Sequence, residues 1–530
     1  MRTLMAFKFQ IHNDIQFQRN EQFLEKSRSL IPAPKRENFA GAGVVRLIED
    51  PIKLERVGVE ETNENLSSLL LGQDDTIILD FHDHRVGSFF IQAESVGSPM
   101  DAPLHIRLRF AEVAAELAHS SSEYDGWLSS SWIQEEFLHI DELPALITLP
   151  RRYSFRFVEI KVLDTSPKWK VRFTNPVVIT ENAVSTNDIP PLHLKDPELE
   201  AIWKVSVKTL ADCMTDVFED GPKRDRRLWM GDLRLQALSN YATFHNEDLV
   251  LRCLYLFGAM PASDGRISAN VFVRPKEVAD DTFLYDYSLF FISILSDYMN
   301  EYGRKTVLED LYPAAKQQMD LALSFVNPEG FIELDENYPV FVDWSNEFNK
   351  EACAQAVTIY ALRQFIDLTR QMNQDPAFYE QMLAQLLDYA RTTLYDAEDG
   401  LFQTRDGEKN IASQVWMVLA NVPVDCEQAK RVMENTLASL FPVRDIATPY
   451  MYSHITEALF KTGLTDAAVK LMKDYWGKMI ELGADTFWEA FDPDRPDYSP
   501  YGNPIISSYC HAWSCTPSYL IQKYLVKKSI

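Results

Sequence analysis

The sequence predicts a multidomain β + α chain: an N-terminal β-sandwich over residues 1–188 and an (α/α)6 barrel over residues 189–530. Two observations carry this. Apolar residues alternate with polar ones in short runs before residue 185 or so, and recur at helical spacing after 189-IPPLHLKDPELE-200. The helical part also holds about a dozen segments with no convincing strand run between them and no repeat of fixed period, which disfavours a solenoid and favours a closed ring of six helical hairpins.

In the first half, 76-TIILDF-81 and 87-GSFFIQAE-94 read as strands, followed by 104-LHIRLRF-110, 153-YSFRFVEIKVL-163 and 170-KVRFTN-175. In the third of these, Leu104, Ile106, Leu108 and Phe110 alternate with His105, Arg107 and Arg109, so one face enters a core. The opposite, basic face is expected to be solvated. Many short strands separated by turn signals favour a sandwich.

The second half opens with Asp196 as N-cap and Pro197 at the first helical position. Leu199, Ile202, Trp203, Val207 and Leu210 then form the buried stripe of a long helix. Further helices are expected over 232–243, 246–259, 284–302, 304–325, 350–371, 376–394, 410–420, 426–439, 451–461, 464–479 and 505–525.

Composition narrows the function. With 52 Lys+Arg against 78 Asp+Glu the formal charge is −26, which argues against nucleic acid or an anionic membrane surface as partner and suits a neutral substrate. Aromatic residues make up 12% of the 530 residues, and aromatic faces are what the apolar faces of sugars stack on, although large cores use them too. The six cysteines are scattered without a CxxC pair and are expected to be reduced and mostly buried. The start MRTLMAFKFQIHNDIQFQRNEQF lacks the continuous apolar region of a signal peptide and no segment approaches a membrane span, so a cytoplasmic protein is expected. A homo-oligomer is left open.

The densest chemistry lies in 219-EDGPKRDRRLWMGDLR-234, where Gly221-Pro222 and Gly231 interrupt regular structure around Trp229, flanked by Asp220, Asp225 and Asp232. It reads either as a polar pocket wall or as a solvated loop with internal ion pairs. Similar acidic and aromatic clusters stand at 284-LYDYS-288, 341-FVDWSN-346 and 485-DTFWEAFD-492. Each alone reads as capping or packing. Four in one helical domain suggest loops converging on an acidic, aromatic-lined pocket, the setting in which paired carboxylates cleave glycosidic bonds. His511 could serve as ligand or base, but no HExxH or His/Cys cluster supports a metal. No phosphate loop, GxSxG or GxGxxG is present either, so no cofactor and no metal are expected.

The run Asp220-Gly221-Pro222-Lys223-Arg224-Asp225-Arg226-Arg227-Leu228-Trp229-Met230-Gly231-Asp232 resembles the D-C-P-x-R-E-R-x-G-W-x-G-D signature of the bacterial α-L-rhamnosidases, glycoside hydrolase family 78. Downstream, 483-GADTFWEAFD-492 is similar to the family's G-A-T-T-x-W-E segment and 507-SSYCHAW-513 to its S-x-N-H-Y segment. In the first half, 79-LDFHDHRVGSFFI-91, 107-RLRFAE-112 and 149-LPRRYSFRFVEI-160 resemble the strands that precede the family's barrel, so the likeness covers most of residues 75–525. The resemblance implies inverting hydrolysis of terminal α-L-rhamnosides. Carried over residue by residue, Asp225 falls at the general acid and Glu489 at the general base. Asp220, Arg224 and Asp232 fall at positions that hold sugar hydroxyls, Trp229 at the aromatic beside them and His511 at a sugar-contacting histidine. Asp286 with Tyr287 and Asp343 with Trp344 match pocket-lining positions more loosely. Three departures stand out: Asp225 is one methylene shorter than the usual Glu, Gly221 and Leu228 replace the usual Cys and Gly, and little sequence follows His511, so no counterpart is expected of the C-terminal β-domain many members carry.

The leading expectation is a hydrolase acting on short rhamnosides or plant glycosides. A glycosidase of another sugar specificity on the same barrel comes second, and a catalytically weak carbohydrate-binding homologue third.

Overall fold

Strand β4 organises the N-terminal half of this computed structural model, which describes residues 10–12 and 14–526. The nine strands are β1 (Lys35–Ala40), β2 (Gly43–Glu49), β3 (Val57–Glu61), β4 (Thr76–Gly97), β5 (Leu104–Ala111), β6 (Glu135–Ile140), β7 (Ala145–Thr148), β8 (Tyr153–Asp164) and β9 (Trp169–Asn182). All pair antiparallel, in the order β1-β9-β4-β8-β5-β6, with β2, β3 and β7 joined at the side. The runs 76–81 and 87–94 are one strand. Its register against β8 slips between Asp80 and Arg85, with His82 at φ 63°, and beyond the slip β4 leaves β2, keeps β8 only as far as Gly87, and takes up β9 and β7. That change of partners lets one sheet fold over a shared core.

Leu104, Ile106, Leu108 and Phe110 enter that core beside Phe89, Phe155 and Val158, as their alternation predicts. Each such side chain contributes roughly 1.5–3 kcal/mol by leaving water. The basic face of β5 departs from expectation. Arg109 is buried and bidentate on Glu159, which also holds Arg107, because β8 places that carboxylate directly opposite. Strands β1, β2, β3, β6 and β7 are short and half exposed, and their weak alternation hides them in the sequence.

Helix α2 (Pro197–Cys213) starts as expected, with Asp196 accepting from the Glu198 and Leu199 amides and the predicted stripe buried. A short α1 (Glu21–Ser29) precedes the sheet. After α2 come α3 (Met230–Ala242), α4 (Glu247–Ala259), α5 (Tyr285–Tyr302), α6 (Lys305–Leu323), α7 (Glu351–Gln371), α8 (Ala377–Tyr389), α9 (Ile411–Leu419), α10 (Cys426–Ser439), α11 (Pro449–Lys461), α12 (Thr465–Met472), α13 (Lys478–Glu481) and α14 (Pro517–Ile521). Helices α3, α5, α7, α9 and α11 pack in succession and α14 returns to α3, making an inner ring. Helices α6, α8, α10 and α12 lie outside, each on the inner helix before it. Inner helices are buried nearly all round, α9 along its whole length.

The helix expected over 505–525 begins only at Pro517. Residues 507–516 run as buried chain, irregular but for a 3-10 turn at Ala512–Ser514, whose polar groups find specific partners, so the apolar spacing there reflects burial and not an α-helix. Two small ladders also interrupt the helical half, one joining Leu228–Trp229 to Asn270–Phe272 and Val278–Ala279, the other joining Tyr395–Asp396 to Leu401–Phe402. The cysteines are free, five buried and Cys426 exposed. Among the described residues no helix is long and apolar enough to cross a membrane. By packing, the chain forms two compact units, one of Met1–Pro32, Arg227–Asp474 and Trp513–Ile530, the other of Ala33–Arg226 and Tyr475–Ala512.

Candidate active site

In the unit that contains the sheet, three segments meet: 219–226 after α2, 485–489, and 501–512. The first leaves α2 at Cys213 and turns back, the Glu219 amide donating to the Cys213 carbonyl. It then runs beside the third, with the Ala512 amide on the Asp220 carbonyl, Arg224 Nε on the Ile506 carbonyl at 3.0 Å and Lys223 Nζ on the Ser507 carbonyl at 2.8 Å. The second pairs with the third through the Glu489 amide on the Ser508 carbonyl and the His511 amide on the Phe487 carbonyl. Glycine is required at 221. A Cβ there would meet the Arg224 carbonyl at 2.7 Å and Ser508 Oγ at 2.8 Å.

These bonds bring Asp220, Arg224, Asp225, Glu489 and His511 together, and the Arg224 guanidinium is the centre. One end reaches Glu489 and the other lies 3.5 Å from Asp225, so one planar cation stands between the two carboxylates. Its face lies 4.0 Å over the Tyr501 ring, and the Tyr501 hydroxyl donates to the second Glu489 oxygen. Burial would lower the Arg224 pKa, but Glu489, Tyr501 and Asp225 carry it well above the usual guanidinium range. Glu489 is buried, whereas the Asp225 side chain keeps 19% of its surface exposed, so the two carboxylates differ in their access to solvent.

Beneath this triple junction lies a buried ionic layer from the sheet. Lys223 pairs with Glu116, Glu112 accepts the Tyr509 amide at 2.7 Å, and His84 donates to Asp212 at 2.6 Å and reaches Glu112 and Ser154. Burial pushes the Glu116 carboxyl up to about 7, with Lys223 pulling the other way. Burial alone would lower His84, but Cys510, Asp212 and Glu112 raise it to about 10. His84, Asp212 and Cys510 also place donor atoms within 4.8 Å of one another, the one possible metal-holding group among the described residues. Both ring nitrogens of His84 already face hydrogen-bond partners, and Lys208 already neutralises Asp212, so the group fits an ion-pair network better than a cation.

In the helical unit, the remaining predicted residues stand at the starts of inner helices or in the loops before them. Trp229 closes the small ladder ahead of α3 and meets Tyr287 edge-on, Gly231 leaves room for the Tyr287 ring, and Asp232 is buried in the first turn of α3. Asp286 opens α5 and accepts the Phe341 and Val342 amides at 2.9 Å each. Asp343 accepts the Ser345, Ala447 and Thr448 amides and the Thr448 hydroxyl. Burial raises both carboxyls, opposed by these donors. Phe341 gathers Tyr287, Trp344, Tyr450 and Trp513 around it, with ring centroids 5.4–6.0 Å away. The Tyr450 hydroxyl is pushed well above its usual range by burial and then by the charges of Asp286, Asp232 and Asp343, with Arg234 opposing.

Sequence reasoning missed Tyr501, Lys350 and Tyr450, and quoted Phe341 within 341-FVDWSN-346 without giving it a role. Lys350 donates to the Phe341 and Asp343 carbonyls and fixes the loop between them. Of these only Tyr501 had a usable signal, an aromatic inside the turn-rich 498-YSPYGNP-504.

The model described as the glycosyl hydrolase family 78 alpha-rhamnosidase N-terminal domain matches residues 41–180, and that of the bacterial alpha-L-rhamnosidase 6 hairpin glycosidase domain matches residues 192–525. The chain belongs to glycoside hydrolase family 78. An alpha-L-rhamnosidase of Streptomyces avermitilis is 22% identical over 454 residues, 82% of this chain but 40% of that relative, so the family 78 chain spans less than half the length of its curated relative. Among solved structures, the rhamnosidase from Klebsiella oxytoca with rhamnose bound superposes with a TM-score of 0.92 at 42% identity, covering 96% of this chain and 99% of that one. The family 78 rhamnosidase of Bacillus sp. GL1 shares the fold, with a TM-score of 0.72 at 20% identity over 88% of this chain and 49% of that one. Within the family 78 signature, the Gly221 departure has a local cause: the 507–510 segment presses so close that no Cβ fits.

Proposed function

We propose that this family 78 chain is an inverting α-L-rhamnosidase that releases terminal α-L-rhamnose from short rhamnosides or plant glycosides. The observation that carries the reading is the Arg224 guanidinium set between Asp225 and Glu489, a pair of carboxylates held apart and differently exposed. Asp225 gives a proton to the glycosidic oxygen as its bond to the anomeric carbon breaks. Glu489 takes a proton from a water that attacks the opposite face, so an α-linked substrate yields β-L-rhamnose and the free alcohol. Both Glu489 oxygens receive hydrogen bonds, yet a carboxylate oxygen accepts more than one, which leaves room for that water. In this scheme the two carboxyl groups stand roughly 6.5–9.5 Å apart, against about 5 Å for a retaining pair.

In the sheet unit, the family signature assigns Asp220, Arg224 and His511 to holding sugar hydroxyls in this reading. In the helical unit, it assigns Asp232 to a sugar contact, Trp229 to an aromatic face, and Asp286, Tyr287, Asp343 and Trp344 to pocket-lining positions. The division into a β-domain of residues 1–188 and a catalytic domain of residues 189–530 belongs to the same proposal and is supported by where the two family models fall. So does a cytoplasmic setting, supported by six free cysteines without CxxC spacing.

A panel of aryl glycosides tests specificity, and proton NMR of the first-formed anomer tests mechanism. Release from the rhamnoside alone, as β-L-rhamnose, supports the proposal. Initial α-L-rhamnose sinks inversion, and rhamnose binding without turnover favours the weak homologue that the shorter Asp225 keeps in view.

A further inference from the structure

The sheet unit carries aromatic residues that none of the roles above uses. Between β5 and β6 the loop 113–133 holds Tyr124, Trp127 and Trp132, all half-buried, which pack with Leu128 on a cluster of Ile133, Tyr501, Ile505 and Ile506. The Trp127 ring lies 5.5 Å from the Tyr501 ring. Tyr501 in turn faces Arg224, whose guanidinium touches Asp225, so a continuous path of contacts runs from the loop to the acid. Arg226, the residue after the acid, sets its guanidinium 5.9 Å from Trp132.

The loop is built in place. A Cβ on Gly126 would meet the Tyr501 carbonyl at 2.3 Å and the Tyr124 ring at 2.6 Å, an approach only glycine permits. Trp127 Nε1 donates to the Pro500 carbonyl and the Tyr124 hydroxyl to the Leu128 carbonyl. These bonds occupy the polar atoms of the Tyr124 and Trp127 rings, and both rings stay half-exposed.

We propose that Trp127 and Trp132 form a platform for the leaving group and select substrates whose aglycone is a flat aromatic ring. The argument rests on the hydrolase reading. A general acid must touch the glycosidic oxygen, so whatever lies against the acid and its neighbours on their open side faces the group being expelled. Asp225 is the more exposed of the two carboxylates, and the half-exposed rings of the loop pack on its neighbours, Trp127 on the buried Tyr501 and Trp132 beside Arg226. Rings whose donors are already bonded read planarity and poorly read hydroxyls. Specificity for the aglycone then comes from the loop between β5 and β6.

The test compares kcat/KM of the full chain and of Trp127→Ala, Trp132→Ala and the double variant on 4-methylumbelliferyl and on 2,2,2-trifluoroethyl α-L-rhamnoside, one leaving group flat and large, the other small. Each single variant should lose about three- to tenfold on the umbelliferyl substrate, mainly through KM, and stay within about twofold on the trifluoroethyl one. Trp127→Phe should recover most of the loss. Equal losses on both substrates, or none on either, overturn the platform while leaving the hydrolase reading intact. A wild-type chain that cleaves neither rhamnoside overturns both. Should the alanine variants fail to fold, Trp127→Leu and Trp132→Leu keep the apolar volume, remove the flat ring and decide the question by the same ratios.

Discussion

Two pairs of carboxylates in this molecule look alike in sequence and are held in opposite ways. Asp225 and Glu489 face side chains, sharing the Arg224 guanidinium, with the Tyr501 hydroxyl on Glu489. Asp286 and Asp343 face backbone, the first accepting two amides of the 341–342 loop and the second tying that loop to Ala447 and Thr448. A carboxylate held by a side-chain cation keeps lone pairs and a direction for a reacting molecule. One saturated by backbone N–H groups fixes a loop. In sequence both kinds are an acid beside an aromatic at the end of an element, and only the partner tells them apart.

The largest effect should come at the first pair. Glu489→Gln is expected to cost on the order of 10²–10⁴ in turnover, with substrate affinity little changed, because the amide cannot take a proton from water. Steady-state kinetics beside a thermal melt check this, and a variant that loses folding in place of turnover would place Glu489 with the loop-fixing acids. Asp225→Asn follows. It should slow rhamnosides with poor leaving groups by roughly 10²-fold, the usual weight of proton donation, and activated aryl rhamnosides far less. Equal losses on both kinds of substrate would deny it the acid's role.

The second pair should break the other way. Asp343→Asn turns an N–H group toward amide donors and is expected to cost about 1–3 kcal/mol of stability, read by chemical denaturation, while the folded fraction keeps near-normal turnover. A stable Asp343→Asn protein with a raised KM would instead move this acid into direct sugar contact.

A separate effect concerns pH. His84 is raised to about 10, against an ordinary 6.5, with Asp212, Glu112 and Cys510 facing it and Lys208 sharing the same Asp212 oxygen. The folded state therefore holds the proton more tightly than the unfolded chain. That stabilisation is complete below about pH 6.5 and is lost as the pH rises through about 10. Urea midpoints measured from pH 6 to 10 should fall, and His84→Gln should flatten the slope. A wild-type profile as flat as the variant's would show that the side-chain ionic layer under Arg224 does not carry this charge.

Much was legible in the chain alone. The change of apolar period near residue 189 reflects what each element must bury, one face in a strand and a stripe in a helix, so strands such as 104–110 and helices such as 426–439 could be read directly. The signature from Asp220 to Asp232 was equally local, since residue types at fixed spacing survive in a sequence whatever surrounds them. Partners far apart along the chain are another matter. That Arg224 would divide Asp225 from Glu489, that Tyr501 would lie under it, and that β8 would bury Arg109 on Glu159 all depend on which segments the fold brings side by side. The same holds for 507–516, where apolar spacing suggested a helix and the chain instead spends its polar groups on neighbouring loops. Local pattern fixes what a segment must bury. Tertiary structure decides against what, because hydrogen bonds and ion pairs act over a few ångströms of space without regard to distance along the chain.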